Sequence, residues 1–480
     1  MSQPRSQPIY LTHDIREIEK KAGELPLMER AGTAAADFAA GLVSDNKKDI
    51  LVLAGPGNNG GDARIAAAKL QEKFFRVTLV SHPRELPLER SWGLVIDGLF
   101  GIGLARNLTG EYAQLVEYAN RQRCPVLALD VPSGIQSDTG RVLGCAVRAT
   151  HTITFIALKP GLLTLDGPDH CGEIRVADLG IPALPKPNAW VAHRDLFGGV
   201  LKPRPRNFHK GTAGSLGVLG GARGMTGAAL LAARAGLKLG AGRVYAGFLQ
   251  PIDIDPVAPE LMLRHVDDVL GQDLDAVVAG PGLGRTEHAA TLVGAVLASE
   301  WPTVLDADAL NLMADDENLR GACGRRQAHT LITPHPAEAA RLLNLEVGEV
   351  QEDRIAAARA LSTRFNAHVL LKGNGSVMVA RDGHLFINTT GNPGMASAGM
   401  GDVLCGILGA LLAQRYGGES ALVLGVHLHG AAADALASSG VGPVGLTASE
   451  VTDAARRLWN RWLEPKKGSE QFSGNKSGAP

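Results

Sequence analysis

The stretch "GNPGMASAGMGDVLCGILGALLAQ", residues 391–414, decides the fold. Glycines crowd up to Asp402, and an apolar helical run begins at once. A helix N-terminus presents unpaired amides and about half a positive charge, so this junction suits an anion. Asp402 in the first turn could cap the helix, a contribution of about 1 kcal/mol. Capping leaves the glycines on both sides unexplained. A carboxylate that takes a proton from a hydroxyl beside a phosphoryl group explains them.

Working back along the chain, "VLLKGNGSVMVA" supplies Lys372, Gly373, Asn374, Gly375 and Ser376, a cation followed by a flexible turn. That combination suits a nucleotide phosphate. "LITPHPAEAARLL" fixes His335 between two prolines just before a helix. "TVLDADALN" sets Asp306 and Asp308 past a strand, and "VVAGPGLGR" adds a strand-end turn with Gly280, Gly282 and Gly284. Further back, "SLGVLGG" runs into the small-residue helix "TGAALLAARAGLKLG", where Gly227 and Ala228 leave room for a bulky ligand or for close helix–sheet packing. Short β-branched runs alternating with helices predict a parallel, doubly wound α/β sheet.

Before this unit, residues 181–206 carry five prolines and no helical period, which places a domain boundary near residue 200. The N-terminal part starts with helix, interrupted near Pro26. It then repeats the α/β texture in "DILVLAG", "FRVTLVS", "WGLVIDG", "CPVLALDVP" and "HTITFIA". Three of these strands lead into loops of special composition. "ILVLAGPGNNGGDARIAAAKL" carries Gly55, Gly57, Gly60 and Gly61. "LVIDGLFGIGLARN" leaves its strand at Asp97, and "VLALDVPSGI" leaves at Asp130 and turns through Ser133. In a parallel sheet these loops emerge together at the carboxyl ends of the strands, where ligands bind. Asn59, Asp97, Asp130 and Ser133 then converge, and their oxygens suit a hard cation. The turn glycines and the two aspartates also fit a purely structural role as turn formers and caps.

Composition narrows the class. The chain has 480 residues, 45% hydrophobic and 20% charged, with a formal net charge of −1. Near-neutral charge without a basic stripe argues against nucleic acid as a partner and removes any polybasic membrane signal. Five scattered cysteines without framework spacing fit reduced thiols in a cytoplasmic protein. The expected organisation is a first domain over 1–195, a second over 200–465 and a disordered tail over 466–480.

These motifs carry two resemblances. "LMERAG", "GPGNNGGDA", "DGLFGIGL" and "LDVPSGI" resemble the epimerase domain of NAD(P)H-hydrate repair enzymes. The resemblance implies a Rossmann-like domain that interconverts the R and S hydrates of NADH and NADPH. It implies a potassium ion on Asn59, Asp97 and Ser133. It places the hydrate on Asn58, Asn59, Gly60, Gly61 and Asp62, on the loop Gly101, Ile102, Gly103, Leu104, Ala105, Arg106 and Asn107, and on Tyr112 and Asp130. Asp130 is the candidate acid/base group. Ala63 stands where the family carries a glycine, and "ALKPGLL" brings Lys159 to the same edge without an assigned role.

"HKGTAGSLGVLGG", "AGPGLGR", "DADALN", "TPHPAE", "LKGNGS" and the opening stretch resemble the ADP- or ATP-dependent NAD(P)H-hydrate dehydratases of the ribokinase-like superfamily. That resemblance implies that Ala228, Gly282 or Gly284, His335 and Asp402 contact the hydrate. It implies that Lys372, Gly373, Asn374, Gly375, Ser376 and Gly401 contact ADP or ATP, with Mg2+ accompanying the nucleotide. Asp402 would activate the hydrate hydroxyl; phosphorylation and phosphate loss then restore the nicotinamide double bond. A fused chain of this kind favours ADP and implies a homo-oligomer. Met400 occupies a position where the family often has a smaller residue, and it would crowd the anion hole if it pointed inward. The rival reading is a vitamin-precursor kinase fused to a non-catalytic binding module.

Overall fold

The structure, a computed structural model, describes residues 6–43, 49–87, 90–187, 189–201, 203–250 and 252–464. The expected tail at 466–480 lies outside the described residues. Two separate sheets organise the chain.

The first sheet contains β1 (Asp49–Ala54), β2 (Arg76–Val80), β3 (Leu94–Gly98), β4 (Val126–Leu129), β5 (His151–Phe155) and β6 (Glu173–Ala177), in the order β2-β1-β3-β4-β5-β6. Every pairing is parallel. Parallel sheets need cover on both faces, and β1, β3 and β4 are accordingly buried almost throughout. The opening helical region divides into Thr12–Ala22 and Leu27–Leu42, with Pro26 between them. Proline lacks the amide that a continuous helix would need there.

The second sheet holds β7 (Ala189–Val191), β8 (Ser215–Gly220), β9 (Arg243–Phe248), β10 (Met262–His265), β11 (Ala276–Ala279), β12 (Thr303–Leu305), β13 (Thr330–Ile332), β14 (His368–Leu371), β15 (Ser376–Val379) and β16 (Leu385–Asn388). Their order is β10-β9-β8-β11-β12-β13-β14-β15-β16-β7. The pairings are parallel except β14–β15 and β15–β16, which form an antiparallel meander. The edge strand β7 precedes the boundary read near residue 200 from the proline-rich stretch, yet it pairs with β16.

The helix Met400–Ala413 lies at the centre of this domain and is buried over nearly its whole length. It packs against Thr226–Lys238 so closely that a Cβ at Gly406 would stand 2.1 Å from the Ala232 carbonyl oxygen. The small residues of "TGAALLAARAG" therefore serve close packing. The Gly418–Ser438 helix is long and apolar enough to cross a membrane by length and composition, but it is a mostly buried core helix.

The two units also share a core. Ile9, Val131, Leu158, Leu162 and Leu163 lie in one apolar cluster with Leu283, Leu305, Ile332 and Val377. Ile9 N donates to Ala189 O at 2.9 Å, and Tyr10 N donates to Leu158 O at 3.0 Å, so the N-terminal segment ties β7 to the first domain.

Candidate active sites

The first site forms where β1, β3 and β4 end. Gly55 and Gly60 let the loops close: a Cβ at Gly55 would stand 1.8 Å from Leu99 O, and one at Gly60 1.9 Å from Gly55 O. The helix Asn58–Glu72 then starts against the neighbouring loop, with Asn58 exposed and Asn59 and Asp62 buried. Ala63, inside this helix, packs on Gly98, whose added Cβ would meet the Ala63 methyl at 2.4 Å. That departure from the family pattern is a packing contact.

Asp97 is fully buried at the end of β3. Its carboxylate accepts from Ser133 Oγ (2.7 Å), Ser133 N (2.8 Å) and Leu99 N (3.2 Å). Burial pushes its pKa up to about 6, against the opposing effect of the Ser133 hydrogen bonds. Ser133 Oγ accepts from Phe100 N at 2.8 Å, which locks the β3 and β4 loops together. The buried Asn59 side chain has no hydrogen-bond partner at either Oδ1 or Nδ2, and a Cβ built on Gly101 would stand 3.4 Å from its Oδ1 and 2.9 Å from Asp130 Oδ2. The orphaned Asn59 oxygen, like the Asp97 carboxylate and the Ser133 hydroxyl at the ends of β3 and β4, offers an oxygen ligand of the kind that suits a hard cation.

Asp130 follows β4 with φ +65°, a left-handed conformation that is uncommon for a residue with a side chain. It turns its carboxylate onto the fully buried Lys159, whose Nζ also donates to Thr154 Oγ1 (2.9 Å) and Phe155 O (2.7 Å). The second carboxylate oxygen accepts from Ile102 N at 3.3 Å. Lys159, without a role in the sequence reading, is thus the cation that makes a buried Asp130 tolerable. Asp62 faces the same space: burial, then the negative charges of Asp130 and Glu19, push it up to about 8. Glu19 is raised by burial and by Asp130. Glu19 and Arg16, which lies 3.9 Å from a Cβ built on Gly103, come from the Thr12–Ala22 helix and were not singled out from the sequence. On the outer loop, Gly101 and Ile102 are half-buried and Leu104 buried, while Gly103, Ala105, Arg106 and Asn107 are exposed. Tyr112 sets its ring edge-on to Phe100, with centroids 4.8 Å apart.

The second site lies at the carboxyl ends of β11, β12, β13 and β14. Asp306 is its hub. It accepts from Lys372 Nζ at 2.8 Å and from Cys405 Sγ at 3.1 Å. Glu338 Oε2 lies 3.8 Å from the same ammonium. Burial alone would lower the Lys372 pKa, but Asp306 and Glu338 outweigh it and hold the ammonium protonated. Gly399, at φ +86°, starts the helix Met400–Ala413. A Cβ on Gly401 would sit 3.4 Å from Asp306 Oδ2 and 3.6 Å from Lys372 Nζ, so only a glycine leaves the space between ammonium and helix start open. Asp402 borders that space. Burial, then repulsion from Asp306, raise it to about 6, with Lys372 opposing. Met400 is buried in the apolar core and leaves the anion hole clear.

His335 caps the helix Pro336–Leu343 by accepting from Ala337 N (3.1 Å) and Glu338 N (3.3 Å) at Nδ1. Glu338 Oε2 in turn accepts from His335 N at 2.8 Å. Burial and Lys372 lower the His335 pKa, so the neutral ring carries its proton on Nε2. Burial, with Asp306 adding to it, raises Glu338 to about 7. Glu338 was missed in the sequence reading, although its place three residues after His335 is a capping-box spacing. Ala228 and Gly282 meet across the site, 3.2 Å apart when a Cβ is built on the glycine. Gly284 N donates to Asp308 Oδ2 at 2.8 Å. In the loop after β14, Ser376 Oγ accepts from Gly373 N at 3.2 Å and donates to Gly373 O at 2.9 Å, closing a small turn.

Comparison with known proteins follows the same division. Residues 216–456 match the family model described as NAD(P)H-hydrate dehydratase. Residues 24–92 and 81–161 match the one described as the YjeF-related protein N-terminus. The bifunctional NAD(P)H-hydrate repair enzyme of Escherichia coli is 36% identical, over 96% of this chain and 96% of its own. Among solved structures, the ADP/ATP-dependent NAD(P)H-hydrate dehydratase of Bacillus subtilis, co-crystallised with ATP and Mg2+, is 29% identical. It matches with a TM-score of 0.50 over 57% of this chain and 98% of its own. A ribokinase-like superfamily protein of Enterococcus faecalis is 25% identical, with a TM-score of 0.50 over 59% of this chain and 99% of its own.

Proposed function

Because the chain belongs to the bifunctional NAD(P)H-hydrate repair enzymes, we propose that each of its two sites performs one of the two repair reactions on a damaged cofactor. The first domain is the NAD(P)H-hydrate epimerase, an isomerase. The second is the NAD(P)H-hydrate dehydratase, a lyase.

In the second site the supporting observation is Asp402, a carboxylate raised to about 6 beside a helix start and an ammonium. The hydrate binds against Ala228, Gly282, Gly284, His335 and Asp402. The co-substrate is ADP carried with Mg2+, ATP being the alternative, and its phosphates lie on the loop from Lys372 to Ser376 and on Gly401. Asp402 takes the proton of the hydrate hydroxyl as that oxygen attacks the terminal phosphoryl group, releasing AMP. The new phosphate ester then leaves as inorganic phosphate while the adjacent ring carbon loses a proton, which restores the double bond. The protonated Lys372 and the helix amides stabilise the phosphoryl charge as it shifts.

In the first site Asp130 accepts and returns the proton that moves when the hydrated carbon inverts. Lys159 and the Ile102 amide hold its carboxylate in place. Asn59, Asp97 and Ser133 would hold potassium, which would supply a fixed positive charge to the site. The orphaned Asn59 oxygen supports that placement.

The experiment is a phosphate balance with S-hydrate and ADP. Stoichiometric inorganic phosphate with recovered NADH supports the dehydratase assignment. Phosphate retained on an organic product would sink it and return the second domain to the small-molecule kinases.

A further inference from the structure

The loop Lys372–Ser376 is held by the other domain. Thr164, fully buried in the segment after β5, places its hydroxyl 2.8 Å from Gly375 O and 3.2 Å from Asn374 O. Leu165 N donates to Asn374 O at 3.1 Å, and Asn374 Nδ2 donates back to Leu165 O at 2.8 Å. The contact is so close that a Cβ on Gly375 would fall 1.8 Å from Leu163 O. Gly375, at φ +59°, is therefore glycine twice over: for its backbone conformation and for the approach of the first domain.

The support is itself rigid. Gly161 N donates to Ser137 O at 2.7 Å, Gly167 N donates to Thr164 O at 3.2 Å, and Lys159 at the head of the segment is pinned on Asp130. A trans peptide directs its carbonyl and the following amide to opposite sides. Fixing the Asn374 carbonyl on the first domain therefore turns the Gly375 amide away from it, toward the open side of the loop.

We propose that Thr164, with Leu165, is a positioning residue of the nucleotide site in the second domain, so that the epimerase domain completes the dehydratase's nucleotide loop. This rests on the assignment of Lys372–Ser376 to the nucleotide. Thr164 touches no substrate; it acts by holding two carbonyls whose peptides shape the loop. Loss of its hydroxyl takes a donor from two carbonyls of the loop and lets the loop move, which weakens nucleotide binding without removing Asp402 from its place.

The test measures dehydration of S-hydrate by the full-length chain while ADP is varied. Thr164→Val, close to isosteric, raises the KM for ADP about fivefold to tenfold, the loss expected for one hydrogen bond. The kcat at saturating ADP, the KM for hydrate and the epimerase rate stay near wild type, and Thr164→Ser restores the KM for ADP. Lys372→Gln runs beside them. If Lys372→Gln raises the KM for ADP and folded Thr164→Val does not, the positioning role is overturned and the loop assignment stands. If neither variant changes it, both fall. Should Thr164→Val not fold, Asn374→Ala cuts the reciprocal bond to Leu165 at an exposed position. An unchanged KM for ADP in that variant overturns the proposal equally.

Discussion

Replacing Gly401 by alanine separates the anion hole from the fold around it. The added methyl would lie 3.4 Å from Asp306 Oδ2 and 3.6 Å from Lys372 Nζ, both ordinary van der Waals distances. Gly401 stands in the first turn of the helix Met400–Ala413 without a left-handed φ. Alanine there is favoured over glycine by up to about 1 kcal/mol. The fold therefore tolerates the change or gains from it. The same methyl fills the gap between the ammonium and the helix amides, where the proposed mechanism puts the transferred phosphoryl group. Removing one preorganised contact to a developing anion costs about 2.7–4 kcal/mol, or roughly a hundredfold to a thousandfold in kcat. Thermal denaturation and hydrate-dependent phosphate release, on one preparation, read the two effects together. Gly401→Ala should melt at or above the wild-type temperature, lose dehydratase activity by that factor and keep epimerase activity. Full dehydratase activity, or a lowered melting temperature with proportionate loss of activity, would refute the account of this turn.

Three other outcomes follow from the geometry. As the proposed base Asp402 must be ionised to act, and burial with Asp306 raises its pKa to about 6. Dehydratase kcat/KM should therefore be flat above that value and fall roughly tenfold per pH unit below it, a limb that initial rates across the acid range would reveal. Lys159→Met strips the buried Asp130 of its cation. It should destabilise the chain by about 3–5 kcal/mol, measured by denaturant unfolding, and a neutral effect would contradict the buried pair. On the proposed cation site the wild-type epimerase rate should be higher in potassium than in sodium, and Asn59→Ala, which removes the orphaned oxygen, should abolish that difference while the melting temperature changes little. Retained potassium dependence would remove Asn59 from the cation site.

How much of this was legible beforehand depended on whether the information was local. The loops after β1, β3, β4 and β14 were readable because a parallel sheet brings strand ends together whatever their sequence separation. β7 was not, since its three residues lie among prolines that read as a linker, and only its pairing with β16 makes it a strand. β16 follows the "RDGH" turn, whose Gly383 has φ +92°, a local hairpin cue that the reading passed over. The partners of Lys159, the hub role of Asp306 and the approach of Glu19 to Asp130 are tertiary facts. Residues far apart in sequence meet there, and no periodicity records it. The hold of Thr164 on Gly375 spans two domains and lies still further beyond what a local motif can carry.

The most direct test of two sites serving one cofactor is recovery of NADH from an R,S hydrate mixture, followed by its near-ultraviolet absorbance. Wild type, Asp402→Asn and Asp130→Asn are compared with ADP and Mg2+ present. Wild type should recover the whole mixture. Asp402→Asn should recover none while still exchanging the epimers. Asp130→Asn should recover the S fraction quickly and the remainder only at the spontaneous rate. Recovery of NADH by Asp402→Asn, or recovery of the whole mixture at the wild-type rate by Asp130→Asn, would contradict the account.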